Sequence, residues 1–293
     1  MTNIVKNQHY VYKHYLQLWV KDKKICCLRN NKNILYVNPD NVAQERYFYK
    51  FNEFSQEDLV LAMSVVDEYY SDRVLRVYNE INTHLKHVKE FDETLSQNIS
   101  DFVKDCEEKY FNCPTEIDLR DFLNEAYNKK LDQLTIEDKK MKICYTLGEQ
   151  YCRTNKVKSG FVENNAFKEQ NVHLENVWFL IRHYIASKIG MTLYYHNYRF
   201  CLLEDPNGNF ITGDQPIINT YANYSNVIPE KFELYYPISP NLALLITEDK
   251  TFDDLSVNVI DSSLVEHFND KIAECSYNQL FAMDESKLLK YKK

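Results

Sequence analysis

Apolar and polar positions alternate or recur in three regimes along the chain, and their order sets the fold expectation. Ile25 to Leu28 and Ile34 to Val37 are short apolar runs around Arg29-Asn30-Asn31-Lys32-Asn33, whose asparagines suit a turn, so the spacing predicts a β-hairpin over 24–38. From Ser55 the period lengthens. Leu59, Met63, Val66, Tyr70, Val74 and Tyr78 recur every three or four residues, which predicts an amphipathic helix from a Ser55 cap to about Lys89. Further helices are expected over 96–110, 116–131 (entered through Pro114-Thr115), 136–154 and 165–188. Upstream, Tyr12, Tyr15, Leu16 and Trp19 share one helical face.

The last third returns to short apolar runs. Phe200 to Leu203 and Phe210 to Thr212 flank Asp205-Pro206-Asn207-Gly208-Asn209, predicting a second hairpin that stops at Gly213-Asp214-Gln215-Pro216. Leu234 to Pro240 and Leu242 to Thr247 read as two strands joined by a proline-set turn. Asp261 caps a last helix, and 279–283 reads as a closing strand. The order predicts one α+β domain over 1–293: a helical block (55–190) packed against an antiparallel sheet made mainly from the C-terminal third (198–285), with the hairpin 24–38 in front.

Composition narrows the class. With 44% apolar and 14% aromatic residues the chain can bury a sizeable core, and no run approaches the roughly 18 apolar residues of a membrane span. A net charge of −8 argues against a surface that grips nucleic acid everywhere. Eight cysteines without C-x-x-C pairing, behind an N-terminus lacking a signal-peptide core, predict reduced thiols in the cytoplasm. The five glycines form neither a dinucleotide fingerprint nor a phosphate loop, and there is no G-x-S-x-G elbow.

Three stretches in this order resemble a bacterial family, domain-of-unknown-function family 4238. They are His9-Tyr10-Val11 with Tyr15-Leu16 and Trp19, then Phe210-Ile211-Thr212-Gly213-Asp214-Gln215-Pro216-Ile217, then Pro237-Ile238-Ser239-Pro240; Phe268-Asn269 with Ala273 is similar to a later family helix. Tyr12, His14 and Gly213 depart from the family's proline, phenylalanine and serine. The resemblance implies a shared fold and candidate positions, and supplies no reaction.

Asp214 is the leading candidate for chemistry. A carboxylate pinned at a strand end suits a ligand for Mg²⁺ or Mn²⁺, or a general base, with Glu204, Asp205 and Glu233 as acids close in sequence. His9 is the candidate general acid/base, and Gln8, Tyr10, Gln215 and Arg182 are candidate binding residues. Arg182-His183 with Trp178, Tyr184 and Lys188 offers a basic aromatic helix face suited to bases and phosphates. His84 and His87, three apart, have the spacing of a metal clip without a third ligand.

Two functions follow from these residues. One is a metal-dependent hydrolase, a nuclease of a bacterial defence or toxin-like system acting on nucleic acid. The other is a non-enzymatic binding or regulatory protein whose tyrosines, 23 in number, recognise a protein partner. In the structural alternative for Asp214, its carboxylate accepts backbone N–H bonds in a turn.

Overall fold

A computed structural model describes residues 7–46, 53–88, 95–111, 116–163, 172–222, 229 and 231–293. The chain enters on β1 (Asn7–His9), turns through α1 (Lys13–Gln17), and forms the hairpin β2 (Ile25–Arg29) and β3 (Asn33–Val37). Asn30 and Asn31 take the left-handed backbone conformation that closes this turn, with φ of 49° and 55°. A short β4 (Gln44–Arg46) then returns to pair antiparallel with β1.

The helical block follows as α2 (Gln56–Val65), α3 (Glu68–Val88), α4 (Leu95–Cys106), α5 (Glu116–Tyr127), α6 (Glu137–Cys152), α7 (Asn155–Val162) and α8 (Leu174–Tyr195). Ser55 and Asp58 cap α2 reciprocally, side chain to backbone in both directions. The single helix expected from Ser55 to Lys89 is two. Val66 is extended at ψ 152°, and Asp67 accepts the Tyr70 amide, so the apolar period runs on across a break that capping stabilises. A π-helical turn over 107–111 extends α4. Helix α8 reaches Tyr195, seven residues past its expected end at Lys188. The expected start of that helix at 165, and the cap at Thr115, lie outside the described residues.

Helices α6 and α8 run antiparallel, with Glu137 bonded to Tyr194 and Glu149 to His183. Their backbones approach so closely at Gly148 that a Cβ there would stand 2.3 Å from the Ala186 carbonyl oxygen.

Strands β5 (Arg199–Glu204), β6 (Thr212–Gly213), β7 (Ile218–Asn219), β8 (Leu234–Ser239), β9 (Leu242–Thr247), β10 (Val257–Val259) and β11 (Gln279–Ala282), with α9 (Ser262–Cys275) before β11, complete the chain. Beside the β1–β4 ribbon, they build an α+β protein with two larger sheets among the described residues. One is mixed, in the order β10-β5-β9-β8-β7, with β10 parallel to β5; the other is antiparallel, β3-β2-β11-β6, so the N-terminal hairpin is part of a C-terminal sheet. Pro237 is tolerated inside β8 because β7 pairs only with Leu234 and Tyr235, leaving that side of the strand open beside the proline.

The hairpin expected between 200–203 and 210–212 does not form. Strand β5, apolar and buried, is already paired on both edges by β9 and β10. Its loop closes on itself instead: the Asp205 carboxylate accepts the amides of Asn207 (3.0 Å) and Asn209 (2.7 Å). The chain then crosses to the other sheet, where β6 pairs with β11. Asn269 of α9 holds the crossing, accepting the Ile211 amide at 3.0 Å and donating to the Asn209 carbonyl at 2.7 Å.

Two apolar cores result. The sheets, α1, α5 and α9 enclose one; α2, α3 and the first half of α8 enclose the other, and Tyr151 and Ile189 pack against both. Among the described residues, no helix is long and apolar enough to cross a membrane.

Candidate functional site

Five of the six candidate residues come together where the β1–β4 ribbon meets the α6–α7 junction and the segment after β6. Gln8 and His9 lie on β1 opposite Glu45 and Gln44. Tyr10 follows, buried, its amide bonded to the Ala43 carbonyl at 3.1 Å. Gln279 at the start of β11 ties this segment to the core: its side chain accepts the Ala43 amide (3.2 Å) and donates to the Tyr10 hydroxyl (3.4 Å). From the helical side, Arg153 donates to the His9 carbonyl (3.2 Å) and lies 3.9 Å from the Tyr12 ring centroid. Asn155 donates to Glu45 at 2.9 Å.

Asp214 sits behind this ribbon, fully buried. Its Oδ1 accepts the Tyr277 amide at 2.7 Å, and its Oδ2 accepts those of Asn278 (2.8 Å) and Gln279 (3.1 Å). The carboxylate therefore fastens the α9–β11 connection to the end of β6, a contact 63 to 65 residues away rather than within its own turn. Burial pushes its carboxyl up to about 6, and the three amides work in the opposite direction. The same burial, with the Asp214 charge alongside, raises the Tyr10 phenol well above its usual range. Gly213 makes room for this arrangement: a Cβ there would stand 1.9 Å from the Ser276 hydroxyl oxygen, which caps α9 by donating to Ile272 O.

Gln215 is equally committed. Its amide donates to the carbonyls of Ile217 (2.6 Å) and Tyr151 (3.3 Å), and its oxygen accepts the Thr154 hydroxyl. The acids near Asp214 in sequence are engaged elsewhere: Glu204 with Lys129, Asp205 in its own loop, and Glu233 with the hydroxyls of Thr220 and Thr247. Among the described residues no three His, Cys, Asp or Glu side chains form a group that could hold a metal ion. His84 stacks on Phe102, ring centroids 4.4 Å apart.

Arg182 is not part of this neighbourhood. It is buried in the helical block, bonded to Glu107 of the π-helical turn and 3.1 Å from His183 Nε2, while His183 Nδ1 lies 2.7 Å from Glu149. Phe111 stacks on the His183 ring at 4.6 Å. The basic aromatic face expected around Arg182 thus divides. Trp178, Arg182 and His183 point into the core, and Tyr184 and Lys188 stay on the outer side of the helix.

That outer side carries the feature the sequence reading missed. Tyr184, Lys188, Met191 and Tyr195 follow one another at helical spacing on α8, and Met191 and Tyr195 are 50% and 72% exposed. Helix α3 extends the surface. Tyr70 packs edge-on against Tyr184 (5.1 Å) and bonds Ser187, Tyr69 is 69% exposed, and Arg73 lies 4.7 Å and 5.4 Å from the Tyr69 and Tyr70 rings. Lys188 lies 5.0 Å from the Tyr184 ring and pairs with Asp67 at 2.8 Å. The i, i+4, i+7, i+11 pattern was present in the sequence, but nothing there said which side of α8 the core would take.

The family described as Protein of unknown function (DUF4238) matches residues 7–286, nearly the whole chain, and the chain belongs to that family. No curated protein and no solved structure matches it.

Proposed function

We propose that this DUF4238 protein is a non-enzymatic recognition module that docks a protein partner on the tyrosine-rich face of α3 and α8. The observation that carries this reading is the exposed row of Tyr69, Met191 and Tyr195 around the Tyr70–Tyr184 contact, flanked by Arg73 and Lys188. Tyrosine, methionine and arginine are the side chains enriched where proteins bind one another, since they offer large contact area with a polar or adaptable tip. A protein partner fits better than a nucleic acid strand. The chain is acidic overall, at −8, and Lys188 is already paired with Asp67.

The competing reading, a metal-dependent nuclease with Asp214 as ligand and His9 as acid/base, asks Asp214 to bind Mg²⁺ or Mn²⁺ with oxygens that already serve three amides. In the recognition reading Asp214, Gln215 and Tyr10 are scaffold: Asp214 fastens α9–β11 to β6, Gln215 joins the segment after β6 to the α6–α7 junction, and Tyr10 anchors the N-terminal segment.

The test has two arms. Purified protein is incubated with DNA and RNA in Mg²⁺ and Mn²⁺ and titrated with each metal. In parallel, the wild type and a Tyr69→Ser, Met191→Ser, Tyr195→Ser variant are isolated from cells that express the chain. The recognition reading expects no cleavage, and a stoichiometric companion protein whose binding, reconstituted from purified components, the variant loses. Metal-dependent cleavage that a folded Asp214→Asn protein lacks would refute it.

A further inference from the structure

Among the described residues, strand β3 is the longest of the sheet edges. It closes the β3-β2-β11-β6 sheet on one side with five residues, whereas the opposite edge β6 has two, and the edges of the other sheet, β10 and β7, have three and two. Among the described residues no strand pairs with its outer side, so alternate backbone N–H and C=O groups there face away from β2. Edge strands are ordinarily blunted by a lysine, a proline, a bulge or a covering element. Asn33-Ile34-Leu35-Tyr36-Val37 contains no charge and no proline, its register with β2 is unbroken, and Leu35 and Tyr36 are 43% and 47% exposed. The β10 edge is handled differently: the Asn258 side chain folds back onto Asp253, and Asp261 follows the strand.

We propose that β3 pairs antiparallel with β3 of a second copy of this chain about a two-fold axis through Leu35. This surface is separate from the α3–α8 face. The strand is self-complementary in this register: Leu35 opposes Leu35 of the second copy, Ile34 opposes Tyr36, and Asn33 opposes Val37, so no like charges meet. Ile34 with Tyr36 is a β-branched and aromatic pair, the kind that stabilises neighbouring strands. The ends also match. Lys32 precedes the strand and Asp40, paired with Lys13 of its own chain at 2.5 Å, follows it, so antiparallel pairing brings ends of opposite charge together. The Tyr36 hydroxyl accepts the Glu285 amide at 3.2 Å, which holds the strand against the C-terminal turn and presents its edge without further ordering. Five paired residues make a small interface, so the association is concentration-dependent.

Sedimentation equilibrium up to submillimolar concentration tests this on the full chain. The wild type is expected to populate a dimer. Leu35→Lys, which sets two ammonium groups against each other across the axis, is expected to weaken it by about tenfold or more, with unchanged far-UV circular dichroism. A second variant, Leu35→Cys, is expected to give a disulfide-linked dimer under mild oxidation, while Asn33→Cys does not, because only position 35 faces itself. A wild type that stays monomeric, with its edge left for an extended segment of some other protein, overturns the proposal. So does a dimer that Leu35→Lys leaves intact and Leu35→Cys fails to link.

Discussion

Replacing Asp214 by Asn tests the site at its most committed residue. The carboxylate serves three amides with two oxygens, at 2.7, 2.8 and 3.1 Å. Asparagine keeps one acceptor oxygen. In its best orientation that oxygen retains the Asn278 and Gln279 amides, and the new NH₂ group is turned toward the Tyr277 N–H, donor against donor. The loss of one charge-assisted bond costs about 1.5–3 kcal/mol, and a buried unpaired donor adds about 1–3 kcal/mol. Against this, asparagine carries no charge to bury. A carboxyl raised from the ordinary 3.8 to about 6 bears roughly 3 kcal/mol of burial cost at neutral pH. Set against each other, these leave a net expectation at pH 7 between no change and a loss of about 3 kcal/mol.

The pH dependence gives the sharper result. Because the folded value lies above the unfolded one, the stability this group contributes is complete below about 4 and is lost as pH rises through about 6. Urea unfolding of both proteins from pH 4 to pH 8, read as midpoint and slope, should therefore show the wild-type advantage narrowing by roughly 3 kcal/mol toward neutral pH. An advantage that widened with pH across that window would mean the amides outweigh burial and hold the carboxyl below its ordinary value. An asparagine protein clearly more stable than wild type at pH 8, where the carboxyl is ionised and accepts all three amides, would refute the clamp.

Three further outcomes are expected from equilibrium unfolding. Tyr15→Phe removes a fully buried hydroxyl that donates to the Pro237 carbonyl (2.7 Å) beside the Thr212 hydroxyl (2.5 Å), and should cost about 1–3 kcal/mol; an unchanged midpoint would show that the bond contributes nothing. Gln150 is fully buried on α6 with neither amide atom hydrogen-bonded among the described residues, so Gln150→Met should raise stability by about 1–2 kcal/mol, and a loss would reveal a partner for the amide. Glu149→Gln replaces the charged partner of the buried His183 Nδ1 hydrogen bond with a neutral one and should cost about 1–2 kcal/mol, detected as an earlier unfolding of the helical block by hydrogen exchange.

Local chemistry makes much of the architecture readable from the sequence alone. Asparagines set the 29–33 turn, Ser55 and Asp261 cap their helices, and short apolar runs against a 3.6-residue period separate the strands of the last third from the helices before them. These are short-range effects, complete within a few residues, so an isolated sequence carries them. Asp214 was also legible as a carboxylate at a strand end, and His9 as a titratable residue ahead of the first helix.

Tertiary structure decided what those positions do. Strand pairing is long-range: β5 had two edges to fill, and its partners came from β9 and β10 rather than from the residues just after its turn. Asp214 reads alone as a carboxylate at a strand end, and only the arrival of residues 277–279 turns its oxygens toward three amides. Helix α8 likewise carries aromatic residues all round its length. Which of them form the core and which the outer face depends on where α2, α3 and α6 pack, a choice made by apolar area buried between elements distant in sequence.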